Sequence, residues 1–219
     1  PGAGRTTLAM LLRRLYEPEQ GSIEVDGKDI RAYRLQDYRS SVALVPAECA
    51  IFDGTIRENL CYGRPDAAEE EMVEAGRAVG LHDFVGSLSE GYDTRLGTGG
   101  LRLSTGARQR IGIGRALISR PLVLIIDEAT AALDPESAEE VNRAVRRSMG
   151  GKTCIVIVHR VLMAKLLDAI AVMQGGRVID EGDHEELITK PDSLYRVIFA
   201  KQYGEDRLPP AKEEQGHGS

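Results

Sequence analysis

The segment from Leu103 to Asp134, LSTGARQRIGIGRALISRPLVLIIDEATAALD, sets the tightest limits on how this chain can fold. Ser104 is a good N-cap residue. Arg108 to Ile118 sets Ile111, Leu117 and Ile118 among basic residues, which predicts a helix closed by Pro121. Leu122 to Ile126 is then five apolar residues without a break. Such a run marks a strand buried on both faces of a parallel sheet. It ends in Asp127-Glu128, and an α/β sheet usually places its ligand at the carboxyl ends of its strands. The acidic pair is therefore the first candidate for chemistry. Taken alone, it is also what a strand-end turn capping the next helix looks like.

At 219 residues the chain makes one large domain or two small ones. Its 42% apolar and 28% charged content is that of a soluble globular protein. The net charge of -6 argues against nucleic acid as a partner. Cys49, Cys61 and Cys154 lack C-x-x-C spacing, so the sequence predicts neither a disulfide framework nor a zinc site and fits a reducing compartment. The longest apolar runs are about a third of a bilayer crossing, and no signal peptide is seen. The chain opens without Met inside a motif, and it reads as a piece of a longer protein.

That motif is the phosphate loop G-x-x-x-x-G-K-[ST], with Gly4, Arg5 and Thr6 on its last three positions. Leu8, Leu11, Leu12 and Leu15 follow at helical spacing. A Gly-rich turn capping an ordinary helix fits the same residues. Gly21 to Gly27 alternates and ends in Asp-Gly, predicting a hairpin arm. Val42 to Val45 predicts a strand, TIRENLCY a short helix, and Asp66 to Val79 a helix acidic at its start. Pro135 behind Asp134 starts a helix predicted to reach Met149. Thr153 to Val158 predicts a strand delivering His159, a residue that taken alone is equally a structural hydrogen-bonding group. A hairpin around Gly175-Gly176 and two short helices, His184 to Thr189 and Asp192 to Tyr203, complete the domain. Residues 204–219 are polar and predict disorder.

In this order the motifs resemble the ATP-binding cassette of ABC transporters over residues 1–203. GTIRENL at 54–60, GYDTRLG at 91–97 and IDEATAALD at 126–134 are most similar to the exporter branch. The resemblance implies an α/β P-loop core with a mostly parallel sheet, an antiparallel β portion near 21–45 and a helical insert near 55–105. It implies ATP and Mg²⁺ as ligands, with hydrolysis coupled to transport. Pro1, Gly2, Ala3, Gly4, Arg5, Thr6 and Thr7 would wrap the phosphates, Thr6 and Asp127 would hold Mg²⁺, Glu128 would be the general base, and His159 would contact the γ-phosphate. The signature Leu103, Ser104, Thr105, Gly106 and Ala107 would face the ATP of a second cassette across a head-to-tail dimer, beside Ala131, Ala132, Leu133 and Asp134. Ala47 and Glu48 would lie in the coupling loop. Transmembrane domains, fused upstream, would place the cassette at the cytoplasmic face of a membrane.

The departures from the family pattern are specific. Arg5 replaces Lys, Ala47 replaces Gln, LSGGQ has become Leu103-Ser104-Thr105-Gly106-Ala107, and Thr98 stands where exporters commonly have Glu. These changes predict weak turnover and leave two other readings open, a silent regulatory half of a heterodimer and a soluble, non-transport member of the family. Arg108, Arg110 and Arg115 are read as a solvated or interface face.

Overall fold

The computed structural model describes residues 3–130 and 132–211. They fall into two compact units, one within 9–157 and one made of 3–8 with 158–211. The chain runs through α1 (Arg5–Leu12), β1 (Glu24–Val25), β2 (Lys28–Asp29), α2 (Leu35–Ser41), β3 (Val42–Val45), β4 (Gly54–Thr55) and α3 (Ile56–Leu60). It continues with α4 (Glu69–Ala78), α5 (His82–Gly86), β5 (Arg95–Leu96), α6 (Thr105–Ile118), β6 (Val123–Asp127), α7 (Pro135–Ser148) and β7 (Thr153–Ile157). The smaller unit then adds α8 (Val161–Ala164), β8 (Ile170–Gln174), β9 (Arg177–Gly182), α9 (His184–Thr189) and α10 (Leu194–Tyr203).

In the larger unit the sheet order is β3-β6-β7, all parallel, with Val45 opposite Ile126 and Asp127 opposite Ile157. The period of two along a strand sends alternate side chains to opposite faces. Leu124 and Ile126 pack with Ala43, Val45, Cys154 and Val156 under α6 and α7, whereas Val123 and Ile125 pack with Val42, Leu44, Ile155 and Ile157 against Ala9 and Tyr38. Both faces of β6 are covered, which is why its sequence can be apolar without alternation. Leu122 is the exception. The ladder begins at the Val42–Val123 pair, so Leu122 precedes it and stays 59% exposed.

Other boundaries follow local chemistry. Asp134 caps α7 through Ser137 N–H with Pro135 in the first turn, and Thr55 and Glu58 form a capping box on α3. Asp26 and Gly27, both with positive φ, turn β1 into β2. That pair is the whole antiparallel part of residues 21–45; Val42–Val45 joins the parallel sheet instead, because its buried residues serve both faces. α4 starts at Glu69 rather than Asp66, and Leu15 is 49% exposed because α1 ends at Leu12 and Arg14 turns the chain at φ 53.

The smaller unit packs the β8–β9 hairpin against α8, α9 and α10 around Ile170, Leu187, Ile188, Tyr195 and Phe199. Asp180 is buried there, accepting from Lys190 Nζ (3.2 Å), Ser193 Oγ (3.2 Å) and Leu194 N–H (2.6 Å). The predicted disorder after Gly204 does not hold as far as Ala211. Glu205–Arg207 form a 3₁₀ turn, Leu208 packs on the core, and Arg196 donates to the carbonyls of Ile188 and Pro209. Residues 212–219 lie outside the described residues.

Burial would raise the Asp180 carboxyl, but the Lys190 ammonium and the Leu194 and Ser193 donors outweigh it and hold it below the ordinary carboxylate value. A depressed folded-state value means stability that is present above the unfolded value of roughly 3.9 and lost as pH falls through the folded value. Replacing Asp180 with Ala is expected to lower stability at neutral pH by about 2–4 kcal/mol, since it strands buried donors. Denaturant midpoints at neutral and acid pH check this: the difference between wild type and variant should shrink in acid, and an equal difference at both would remove Asp180 from the account.

Candidate functional site

In the smaller unit, Gly4 has φ +86, a left-handed conformation open to glycine and strained for other residues, and its carbonyl accepts the first α1 bond from Leu8 N–H. The loop thus turns into the N-terminus of α1, where backbone N–H groups favour an anion. Ala3 and Gly4 precede the helix, and Thr6 and Thr7 are exposed on its first turn. Pro1 and Gly2 lie outside the described residues. Arg5 turns toward the strand-end histidine: its Nη1 donates to Val158 O (3.2 Å), and its Nη2 lies 3.1 Å from His159 Nδ1 and 3.3 Å from Nε2.

In the larger unit, Asp127 ends β6 and is 7% exposed. Glu128 follows at φ +55 with its N–H on Ile157 O (3.2 Å). A left-handed non-glycine residue at a strand end carries backbone strain of order 1–3 kcal/mol, which the surrounding structure must hold.

The signature segment and the loop after Glu128 meet in that same unit. Ser104 caps α6, its Oγ accepting from Ala107 N–H at 3.1 Å. The hydroxyl proton remains able to donate. Thr105 Oγ1 accepts from Arg108. The 132–134 turn lies against the start of α6, where a Cβ on Gly106 would meet Leu133 Cδ2 at 3.4 Å, an ordinary contact. Asp134 caps the following helix; Leu103 is half-buried and Ala132 exposed, and Ala131 lies outside the described residues. In the coupling loop Ala47 and Glu48 are exposed, and the Ala47 carbonyl accepts from Gln109 Nε2 (2.9 Å). Cys49 then sits where a Cβ on Gly112 would be, and burial pushes its thiol up.

Two arginines contradict the reading of a solvated face. Arg115 donates to the carbonyls of Asn59 and Ala50 and stacks over Phe52 and Tyr62, with centroids 4.9 and 5.7 Å away. Arg110 donates to Val79 O and Ser137 Oγ. Both satisfy loop carbonyls contributed by distant segments, a demand that sequence spacing does not show. Phe52 and Tyr62 stack at 4.2 Å and line a surface cleft of about 500 Å³ with Arg57, Pro65 and Met72. Asp53 ties the same loop to Thr98 N–H (2.7 Å). None of Phe52, Asp53 or Tyr62 stands out in the sequence, because each works through contacts remote along the chain.

A family model for the ABC transporter matches residues 1–131 of the 219. The chain belongs to the ABC transporter family. As an ABC cassette it is similar to ABC transporter B family member 15 of Arabidopsis thaliana, 45% identical over 204 residues, which are 92% of this chain and 16% of that protein. Member 19 of the same family and organism is 41% identical over 201 residues, again 92% of this chain and 16% of the relative. The chain therefore spans about a sixth of the length of these curated relatives. A solved structure of a bacterial Atm1-family ABC exporter with ATP bound superimposes with a TM-score of 0.88 at 37% identity, covering 93% of this chain and 35% of that one. The fold is that of an ABC ATPase, and the chain is a nucleotide-binding domain of the exporter type. Among the described residues of this ABC cassette, no helix is long and apolar enough to cross a membrane.

Proposed function

We propose that this cassette binds ATP with Mg²⁺ and hydrolyses it to drive transport. It does so in a dimer of cassettes, at the cytoplasmic face of a membrane and coupled to transmembrane domains. The observation that carries the reading is Glu128. It follows the buried carboxylate of Asp127 at the end of a strand covered on both faces, in a left-handed conformation that its neighbours maintain. Strained residues of this kind cluster at functional sites, and this one directly follows Asp127 at the end of the central strand.

Each residue has a role its chemistry suits. The left-handed Gly4 and the N-terminus of α1 accept the phosphates, and Arg5 adds positive charge. Asp127 and the Thr6 hydroxyl are the hard oxygen donors that Mg²⁺ takes. When bound, the ion would neutralise charge on the phosphate oxygens. Glu128 accepts a proton from the attacking water, and His159 holds the γ-phosphate. Ser104 and the first-turn amides of α6 serve the partner's nucleotide, with residues 131–134 along the same interface.

The engagement of Arg5 with Val158 and His159, and the lack of a side-chain ligand at Ala47, favour one second reading: a cassette that binds nucleotide and turns it over poorly, as the regulatory half of a heterodimer. Phosphate release by the assembled protein, with Mg²⁺ and with a chelator, tests the first reading. Mg²⁺-dependent turnover supports it; nucleotide binding without turnover leaves the regulatory reading.

A further inference from the structure

The backbone on the far side of His159 is held from α10. Gln202 Nε2 donates to the His159 carbonyl at 2.7 Å, and its Oε1 accepts from Val161 N–H at 3.0 Å. One side-chain amide thus spans the His159–Arg160–Val161 segment with both of its polar atoms, as a strand partner would. Two turns earlier on the same helix, the Tyr195 hydroxyl reaches Val161 O (3.4 Å) and lies 2.9 Å from His184 Nδ1. Burial pushes the Tyr195 phenol up to about 12, so it stays a donor through the physiological range. Arg5 meets the same segment at Val158 O and the His159 ring.

We infer that Gln202 is the positioning residue for His159, fixing the backbone from which the imidazole reaches the γ-phosphate. The inference rests on the reading of His159 given above. His159 O and Val161 N–H flank a segment that leaves β7 and only begins its next helix at Val161, so no regular ladder bonds fix it there. Gln202 is exposed on the surface of α10, and removing it opens no cavity. What it contributes is geometry, and a small misplacement of a catalytic group costs rate more than binding.

A purely structural role would be to cap α8 through Val161 N–H. Gln202→Glu separates the two roles, because it keeps the acceptor for that N–H and loses the donor to His159 O. Turnover and ATP affinity are measured on the assembled transporter for Gln202→Ala, Gln202→Glu, His159→Ala and the His159→Ala/Gln202→Ala double variant. Both Gln202 variants are expected to keep their melting temperature and ATP affinity, the latter within about twofold, and to lose about tenfold in kcat, the worth of one or two hydrogen bonds. In the His159→Ala background Gln202→Ala should add nothing. A wild-type kcat in Gln202→Glu would reduce the residue to a cap and overturn the proposal. Multiplicative losses in the double variant would overturn it too. A His159→Ala variant with full turnover would overturn the reading of His159, and the proposal with it. Amide exchange at Val161 reads the clamp without turnover: it should accelerate about tenfold in Gln202→Ala, and equal exchange rates would show that no clamp exists.

Discussion

Glu128→Gln is expected to lower ATP turnover by about a hundred- to ten-thousand-fold while leaving nucleotide binding intact, the range over which a positioned general base acts. The exchange keeps the shape of the side chain and the left-handed backbone at φ +55, and removes only the charge that takes the proton. Glu128→Gly sharpens the test, because glycine adopts that conformation without cost. It should lose turnover equally while gaining about 1 kcal/mol of stability, as the strain is released. Phosphate release, equilibrium ATP binding and thermal melts are measured in parallel. Unchanged turnover in Glu128→Gln would take the base away from Glu128 and leave the hydrolytic reading without its centre.

The second large effect concerns repair of the departures from the family pattern. In a homodimer each nucleotide would face Arg5 and Ala47 of one chain and Thr105 and Ala107 of the other, so defects on both sides act on one γ-phosphate. Turnover should be weak, and Arg5→Lys alone should not restore it. The lysine removes a guanidinium that reaches Val158 and His159, but leaves the partner's donor set unchanged. Each such transition-state contact is commonly worth about 3 kcal/mol, on the order of a hundredfold. Thr105→Gly with Ala107→Gln rebuilds the signature without touching the Ser104 cap, which binds the backbone N–H of residue 107. Ala47→Gln supplies the side-chain amide that the family pattern carries at this position. Phosphate release is expected to rise stepwise and to be largest with all changes together; pairing with a cassette that carries an intact LSGGQ should help more than self-pairing. Vigorous turnover in the unaltered homodimer would mean the substitutions are tolerated, and the regulatory reading would fall.

What could be read from the sequence was local. β6 announced itself because a strand covered on both faces has no reason to alternate, and α7 because Asp134 and Pro135 form a start signal within two residues. The hairpins at Asp26-Gly27 and Gly175-Gly176 were legible from their turn residues. The acidic pair and the segments proposed as phosphate loop and signature stand out in the sequence as motifs. The short helices α2, α5 and α8 were not, since four to seven residues hold too few turns to show a periodic face. The β4–β5 pair joins Gly54 to Leu96, a pairing with no trace in spacing. By sequence Arg115 belongs to a solvated or interface face, because its partners, the carbonyls of Ala50 and Asn59, lie more than fifty residues away. Gln202 was invisible for the same reason: a polar residue on a surface helix acquires a role only when the fold brings His159 to it.

The most direct measurement of the central claim is equilibrium binding of labelled MgATP to the assembled protein, for wild type and for Gly4→Val. A β-branched residue cannot adopt the φ of +86 that the phosphate loop requires at Gly4, so that loop alone should be lost. The expected result is saturable binding of ATP by the wild-type cassette, weakened at least about tenfold in Gly4→Val, with melting otherwise preserved. Wild-type protein that binds no ATP, or Gly4→Val protein that binds it as tightly as wild type, would contradict the account.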